Sequence, residues 1–325
     1  LRPTCGATAE PAHSVLGRLA KNTYRKREAM ATALITGAGG FTGYHLIREL
    51  ADHGYEPVGM GRGPCPSALS GIRYEQIDLL DADRLGGVIR TIRPSAVFHL
   101  AGMSHVTQGT PEAVYTANIV ASRNLLAALA DGDAAPDFVL LASTANLYGN
   151  KGGTLDESTP PEPLNDYAVS KLAMEYMAAI WKGRLPLTVV RPFNYTGAGQ
   201  SEAFLIPKLV RHFKERLPVI ELGNTHVVRD FSDVRDVVSL YVRLAEVRAP
   251  WGPYNVCSGT GHALSGILHM LTELTGHELE VRVNPAFVRR NEVHTLIGSR
   301  ARLESRTGPF EPIPLRETLR WMLEA

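Results

Sequence analysis

Residues 36–43 read Thr-Gly-Ala-Gly-Gly-Phe-Thr-Gly, and no other segment narrows the possible folds of this chain so far. An apolar, β-prone run, Ala31–Thr36, precedes it. The stretch Thr42–His53 follows, with Leu46, Ile47 and Leu50 at helical spacing and Gly54 as its C-terminal cap. Gly37, Gly40 and Gly43 therefore fall in the turn between a strand and a helix. Gly37 permits the tight turn, Gly40 lets backbone N–H groups approach a pyrophosphate, and Gly43 lets helix and strand pack closely. The N-terminus of the helix adds partial positive charge. Gly37, Gly40, Phe41 and Gly43 are the predicted contacts of a dinucleotide.

The rest of the chain supports that reading by alternation. Strands are expected at Glu56–Met60, Tyr74–Ile77, Ala96–Leu100, Phe138–Ser143 and Leu187–Val190, and helices at Asp81–Ile92, Pro111–Ala130 and Tyr167–Trp181. Such alternation predicts an α/β fold: a Rossmann-type doubly wound parallel sheet with helices on both faces. After residue 193 the pattern loosens. A helix is expected at Ser232–Val247, a short strand at Tyr254–Cys257 returning to the main sheet, and further helices at Leu264–Thr275 and Leu315–Leu323. The expected organisation is an extension over residues 1–30, a dinucleotide-binding domain over 31–193 rejoined by 232–258, and a smaller α/β substrate-binding domain over 194–325.

Charge and composition exclude other classes. Thirty-four Lys and Arg against 33 Asp and Glu leave a formal charge of +1, which speaks against a nucleic-acid partner held by phosphate attraction. No apolar run approaches the roughly 20 residues that span a bilayer. Cys5, Cys65 and Cys257 show no paired spacing, and the histidines show no HExxH pattern, so no disulfide and no metal site are expected. Free thiols fit a reducing cytoplasm. Residues 1–30 lack an apolar core and carry the basic Lys21, Arg25, Lys26 and Arg27. They are expected to be a poorly ordered extension without a secretory signal.

The end of the second strand selects the cofactor. An acidic residue there would hold the ribose hydroxyls of NAD. The sequence instead reads Gly59-Met60-Gly61-Arg62. Arg62 suits a 2′-phosphate, so NADP(H) is the expected cofactor, with NAD(H) and a solvated Arg62 as the alternative. Asp78 and Leu79, after the third strand, are expected to border the adenine.

Tyr167 and Lys171 stand four residues apart, on one face of a predicted helix. A nearby ammonium is expected to lower the phenol's pKa, fitting Tyr167 to exchange a proton with a sugar or alcohol oxygen. Ser143 and Thr144, at a strand end, can orient that oxygen. The catalytic candidates are Thr144, Tyr167 and Lys171.

The TGxxGxxG turn, the hydroxyl pair and YxxxK resemble the extended short-chain dehydrogenase/reductases, over nearly all of Ala31 to the C-terminus. The runs Arg191–Gln200, Arg229–Asp236, Tyr254–Gly259, Ala286–Glu292 and Gly298–Leu303 are similar to its nucleotide-sugar-modifying branch, above all to the GDP-6-deoxy-4-keto-D-mannose reductases. The resemblance implies a small-molecule nucleotide-sugar partner and a homodimer built on helices such as Pro111–Ala130 and Tyr167–Trp181. It assigns Ser104, Asn146, Asn194, Arg229, Arg289, Arg290 and Glu292 to substrate binding, with Arg229 and either Arg289 or Arg290 as phosphate clamps. It also implies reduction of the C4 ketone of a 4-keto-6-deoxyhexose, with GDP-D-rhamnose as the product. The related 4,6-dehydratases carry a glutamate two positions beyond the threonine, where this chain has Asn146. An amide cannot exchange protons near neutral pH. Ser104-His105-Val106 keeps dehydratase or epimerase chemistry open as the alternative, and a non-catalytic nucleotide sensor as a minor one.

Overall fold

Strand–helix repetition from Thr32 onward builds the main sheet, because each right-handed crossover returns the chain parallel to its last strand. The computed structural model describes residues 31–103, 110–132, 135–287 and 294–325; the expected extension over residues 1–30 lies outside them. In chain order the first elements are β1 (Thr32–Thr36), α1 (Phe41–Asp52), β2 (Glu56–Gly61), β3 (Arg73–Gln76), α2 (Ala82–Ile92) and β4 (Ala96–His99). They are followed by α3 (Pro111–Tyr115), α4 (Ala121–Ala130), β5 (Phe138–Ala142), β6 (Gly153–Leu155), α5 (Asp166–Ala179) and β7 (Leu187–Pro192). The remainder comprises β8 (Asn194–Thr196), α6 (Leu205–Lys214), β9 (Val219–Leu222), β10 (Val228–Asp233), α7 (Val234–Glu246) and β11 (Pro253–Val256). Last come β12 (Gly261–Ala263), α8 (Leu264–Thr275), β13 (Glu280–Val283), β14 (Thr295–Gly298), α9 (Ala301–Thr307) and α10 (Leu315–Glu324).

Seven strands form one parallel sheet in the order β11-β7-β5-β4-β1-β2-β3. The order reverses between β1 and β4, the switch point at whose carboxyl edge such sheets bind ligands. The central strands are apolar on both sides because helices cover both faces. Leu46, Ile47 and Leu50 of α1 pack on one face with Val237, Val238 and Tyr241 of α7. Leu85, Ile89, Leu125, Leu126 and Met174, from α2, α4 and α5, pack on the other. Each fully buried side chain of this size contributes about 1.5–3 kcal/mol. Side chains set several helix starts: Asp81 accepts from Arg84 N–H, Asn165 from Ala168 N–H and Asp233 from Arg235 N–H.

Two expectations change. The helix expected over Pro111–Ala130 is interrupted at Thr116–Val120 by one wide π turn centred on buried Asn118. The helix expected from Ser232 begins at Val234, because Ser232 and Asp233 still belong to β10, paired with Tyr195 and Thr196 of β8.

A second sheet gathers distant segments in the order β12-β10-β14-β6, with β8 against β10. A single carboxylate ties three of its parts together. Fully buried Asp230 accepts from Ser258 N–H (2.9 Å) and Oγ–H (2.6 Å), Gly259 N–H (3.0 Å) and Gly298 N–H (3.2 Å). Parallel β9 and β13 form a separate pair, and α6, α8 and α10 share a core that includes Leu209, Phe213, Ile267, Leu271 and Leu319. Among the described residues no helix is long and apolar enough to cross a membrane.

Candidate active site

A cleft of about 1500 Å³ opens at the carboxyl edge of the main sheet. Its walls include Gly37, Gly40, Phe41, Gly43, Arg62, Asp78, Leu79, Thr144, Asn146, Tyr167, Lys171, Asn194 and Arg229. Every sequence-derived site residue among the described ones therefore meets in one space. Ser104, Arg289, Arg290 and Glu292, and also His105, lie outside the described residues.

The glycine turn has the form a dinucleotide needs. Gly37 has φ +73°, and its N–H donates to Met60 C=O at 2.9 Å. A Cβ on Gly43 would lie 2.5 Å from Gly37 O and 2.7 Å from Ala38 Cα, so only glycine lets α1 sit this close. Gly40 starts α1 with no side-chain cap, leaving first-turn N–H groups for an anion. Arg62 is exposed at the end of β2, where its C=O accepts from Gln76 Nε2 at 3.3 Å. The turn, this cation and the rim formed by Asp78 and Leu79 fit a nicotinamide dinucleotide.

The predicted catalytic groups lie beyond β5 and on α5. Thr144 accepts from Asn146 N–H at 3.1 Å, and its hydroxyl also hydrogen-bonds the Tyr167 phenol. Ser143 Oγ is buried, has no hydrogen-bond partner among the described residues, and belongs to a cleft-lining residue. The Lys171 ammonium donates to Ala142 C=O at 2.8 Å. The expectation of a lowered tyrosine pKa is corrected. Burial pushes the phenol up to about 12, and the hydrogen bond from Thr144 only partly opposes it. Lys171 moves the other way, pressed by burial down to about 8. Near neutral pH Tyr167 is thus a protonated phenol.

On the opposite wall Asn194 donates through Nδ2 to Asp230 C=O at 3.2 Å. Arg229 Nη1 donates to the carbonyls of Val228 (2.9 Å) and His294 (3.3 Å), which fixes its fork at the cleft. Asn146 is exposed on the turn after Thr144.

Sequence reasoning missed several residues around this site. Tyr195 stacks on Phe41 (centroids 6.1 Å) and its hydroxyl hydrogen-bonds Thr42 Oγ1 at 2.8 Å, joining the glycine turn to β8. His99 lies between Thr36 Oγ1 (2.7 Å) and Ser122 Oγ (2.8 Å), and burial holds it neutral, at about 3. Lys208 on α6 lines the cleft, with Nζ donating to Glu221 C=O at 3.0 Å. The helical spacing of Ile206, Leu209, Val210 and Phe213 was the available signal for α6. Among the described residues no three or more His, Cys, Asp or Glu are grouped to hold a metal ion.

Residues 33–257 match the family described as NAD dependent epimerase/dehydratase. The chain belongs to that family. Within this epimerase/dehydratase family it is similar to the GDP-6-deoxy-D-talose 4-dehydrogenase of Aggregatibacter actinomycetemcomitans, 34 % identical over 83 % of this chain and 89 % of the relative. It is equally similar to the GDP-6-deoxy-D-mannose reductase of Pseudomonas aeruginosa, 35 % identical over 89 % of this chain and 95 % of the relative. Among solved structures, a Burkholderia cenocepacia J2315 protein provisionally described as an epimerase superposes with a TM-score of 0.87. It is 46 % identical and covers 90 % of this chain and 97 % of its own. The Pseudomonas aeruginosa RMD protein complexed with NADPH superposes with a TM-score of 0.78 at 33 % identity, covering 91 % and 97 % of the two chains.

Proposed function

We propose that this protein is an NADPH-dependent reductase of the C4 ketone of a nucleotide-linked 4-keto-6-deoxyhexose, with GDP-4-keto-6-deoxy-D-mannose as substrate and GDP-D-rhamnose as product. More coarsely, the chain is an NAD(P)-dependent nucleotide-sugar oxidoreductase. The observation that carries the finer reading is the placement of the Tyr167 phenol, hydrogen-bonded by Thr144 beside β5. Ketone reduction needs one proton donor at the oxygen that becomes alkoxide, and Tyr167 is in the state to act as one. Asn146 supports the same direction, since it stands where elimination of the C6 hydroxyl would require a carboxyl group.

The Gly37–Gly43 turn and Arg62 would hold the cofactor's phosphates, and Asp78 and Leu79 would border its adenine. The nicotinamide, when bound, supplies the hydride. Thr144 orients the C4 oxygen, with the Ser143 hydroxyl beside it as a further donor. Tyr167 delivers its proton to that oxygen as negative charge develops there, and Lys171 keeps the surroundings of the phenol cationic. Asn194 and the Arg229 fork hold the diphosphate of the substrate, leaving the sugar facing Thr144.

Preference for NADPH rests on Arg62 and the absence of an acidic residue at the end of β2. A homodimer is supported by the exposed apolar side chains of Val169 and Tyr176 on α5 and of Ile180 just after it. The unpaired thiols of Cys65 and Cys257 accord with a cytoplasmic enzyme.

The deciding experiment incubates the protein with NADPH and GDP-4-keto-6-deoxy-D-mannose, following absorbance and resolving the sugar products. NADPH oxidation with formation of the 4-hydroxy sugar is expected. Dehydration of GDP-mannose without ketone reduction would replace this reading by the dehydratase one. Tyr167→Phe is expected to lower turnover by roughly a hundred- to ten-thousand-fold while NADPH affinity stays within about twofold. Unchanged turnover would remove Tyr167 from the reaction.

A further inference from the structure

Helix α5 carries Tyr167, Lys171 and Glu175 at four-residue intervals, so phenol, ammonium and carboxylate follow one another along one helix face. Glu175 is a buried carboxylate, 9 % exposed, and it is not one of the cleft-lining residues. Arg191 of β7 grips it bidentately, Nε to Oε1 at 3.0 Å and Nη2 to Oε2 at 2.7 Å. The guanidinium is fixed in turn: its Nη1 donates to Tyr148 Oη at 3.0 Å, and that hydroxyl donates to Asn255 Oδ1 at 2.7 Å.

Burying two charges costs several kcal/mol per ion, and apolar residues of the same volume often serve stability as well or better. Packing alone therefore gives this pair little reason to be charged. Its neighbour toward the cleft supplies one. Lys171 is 6 % exposed and faces polar but uncharged groups from the other elements around it. These are the neutral His99 on β4, the Asn118 amide from the π turn and the Ala142 carbonyl of β5, with Tyr167 one turn earlier on its own helix. Arg191 on β7 is a second cation, on the far side of the carboxylate. Among the described residues the anion acting on Lys171 is Glu175, which opposes the burial that presses the ammonium toward its neutral form.

We propose that Glu175 is a positioning residue: held by Arg191, it is the buried counter-charge that keeps Lys171 an ammonium beneath the reacting phenol. This rests on the reading of Tyr167 and Lys171 as the proton-transfer pair. It makes the ion pair a four-member line along α5 and β7, from Arg191 through Glu175 and Lys171 to Tyr167, with the charge nearest the cleft set from behind.

Lysine labelled with ¹³C at Cε reports the charge of Lys171 directly, its resonance being identified by its loss in Lys171→Met. In Glu175→Gln the Lys171 titration midpoint is expected to fall by about one pH unit. The alkaline limb of kcat/KM for ketone reduction should fall with it, and Glu175→Asp should restore most of both. A midpoint that stays in place in Glu175→Gln would overturn the proposal, whatever the change in thermal stability. If that variant does not fold, Glu175→Leu combined with Arg191→Met removes both charges at similar volume. A smaller fall in the same direction is expected in it, because the Arg191 cation leaves with the carboxylate, and an unmoved midpoint overturns the proposal equally. An inactive Tyr167→Phe beside an unmoved lysine midpoint defeats the Glu175 assignment alone. An active Tyr167→Phe defeats the proton-transfer reading, and the lysine titration still decides the role of Glu175.

Discussion

The main sheet and the sheet around β10 are held together in different ways. Consecutive crossovers supply the first, and its strands are largely apolar runs such as Ala96–His99 and Phe138–Ala142, buried except for half-buried Ala142. The second collects three- to six-residue strands from Gly153, Asn194, Val228, Gly261 and Thr295 onward, and its junction is a polar one, Asp230 with four hydrogen bonds. Hydrophobic burial is non-directional and makes a platform. Hydrogen bonds to one carboxylate fix the relative position of loops, which is what a substrate wall needs. The proposed cofactor groups lie on the apolar platform, whereas Asn194 and Arg229 lie on or beside the polar junction.

This contrast can be broken by substitutions on either side. The largest effect is expected for Gly43→Ala, whose Cβ would fall 2.5 Å from Gly37 O. NADPH binding should weaken roughly a hundredfold, about 3 kcal/mol. GDP-sugar affinity measured by calorimetry should change little, and equal losses of both ligands would mean that the two walls are not separate. Asp230→Asn places an amide NH₂ against backbone donors and should cost about 2 kcal/mol of stability, read as a lowered melting temperature. Its KM for the nucleotide sugar should rise while the NADPH Kd holds; a weakened NADPH Kd with an unchanged KM would reverse the assignment of the polar junction. Arg62→Ala is the smallest change. It should weaken NADPH about tenfold, near 1.4 kcal/mol, and leave NADH untouched. A loss shared by both cofactors would deny Arg62 a part in reading the 2′-phosphate.

The same contrast explains what could be read from the chain. Gly37, Gly40 and Gly43 announce a turn between a strand and a helix because backbone sterics admit little else there. The five strands and three helices expected from there to Leu187–Val190 follow from apolar period and caps. The helix Leu264–Thr275 was expected at the residues it occupies. Strands such as Asn194–Thr196 and Gly261–Ala263 are short and polar, carry no period, and gain their partners only from chain far away. Helix α6 was legible in principle, but Pro207 within its first turn and the surrounding irregular chain obscured it. Within the site, residue types and spacing pointed to Tyr167, Lys171 and Thr144. The protonation state of the phenol was not legible, because burial sets it and burial belongs to the tertiary fold. Glu175 was visible as the next member of the series at 167 and 171, yet its partner Arg191 comes from a strand sixteen residues away.

Helix α5 carries the phenol, its cation and the buried carboxylate on two consecutive turns, and β7 behind it provides the clamp. The groups proposed to handle the proton therefore sit together on one helix and its clamp, apart from the segments proposed to face the sugar. Exchanging the segments around β10 and α6 between relatives should redirect which hexose is reduced while the acid that completes the reduction keeps its setting. Diversification by exchange of the sugar-facing wall is the evolutionary freedom that this division of labour grants.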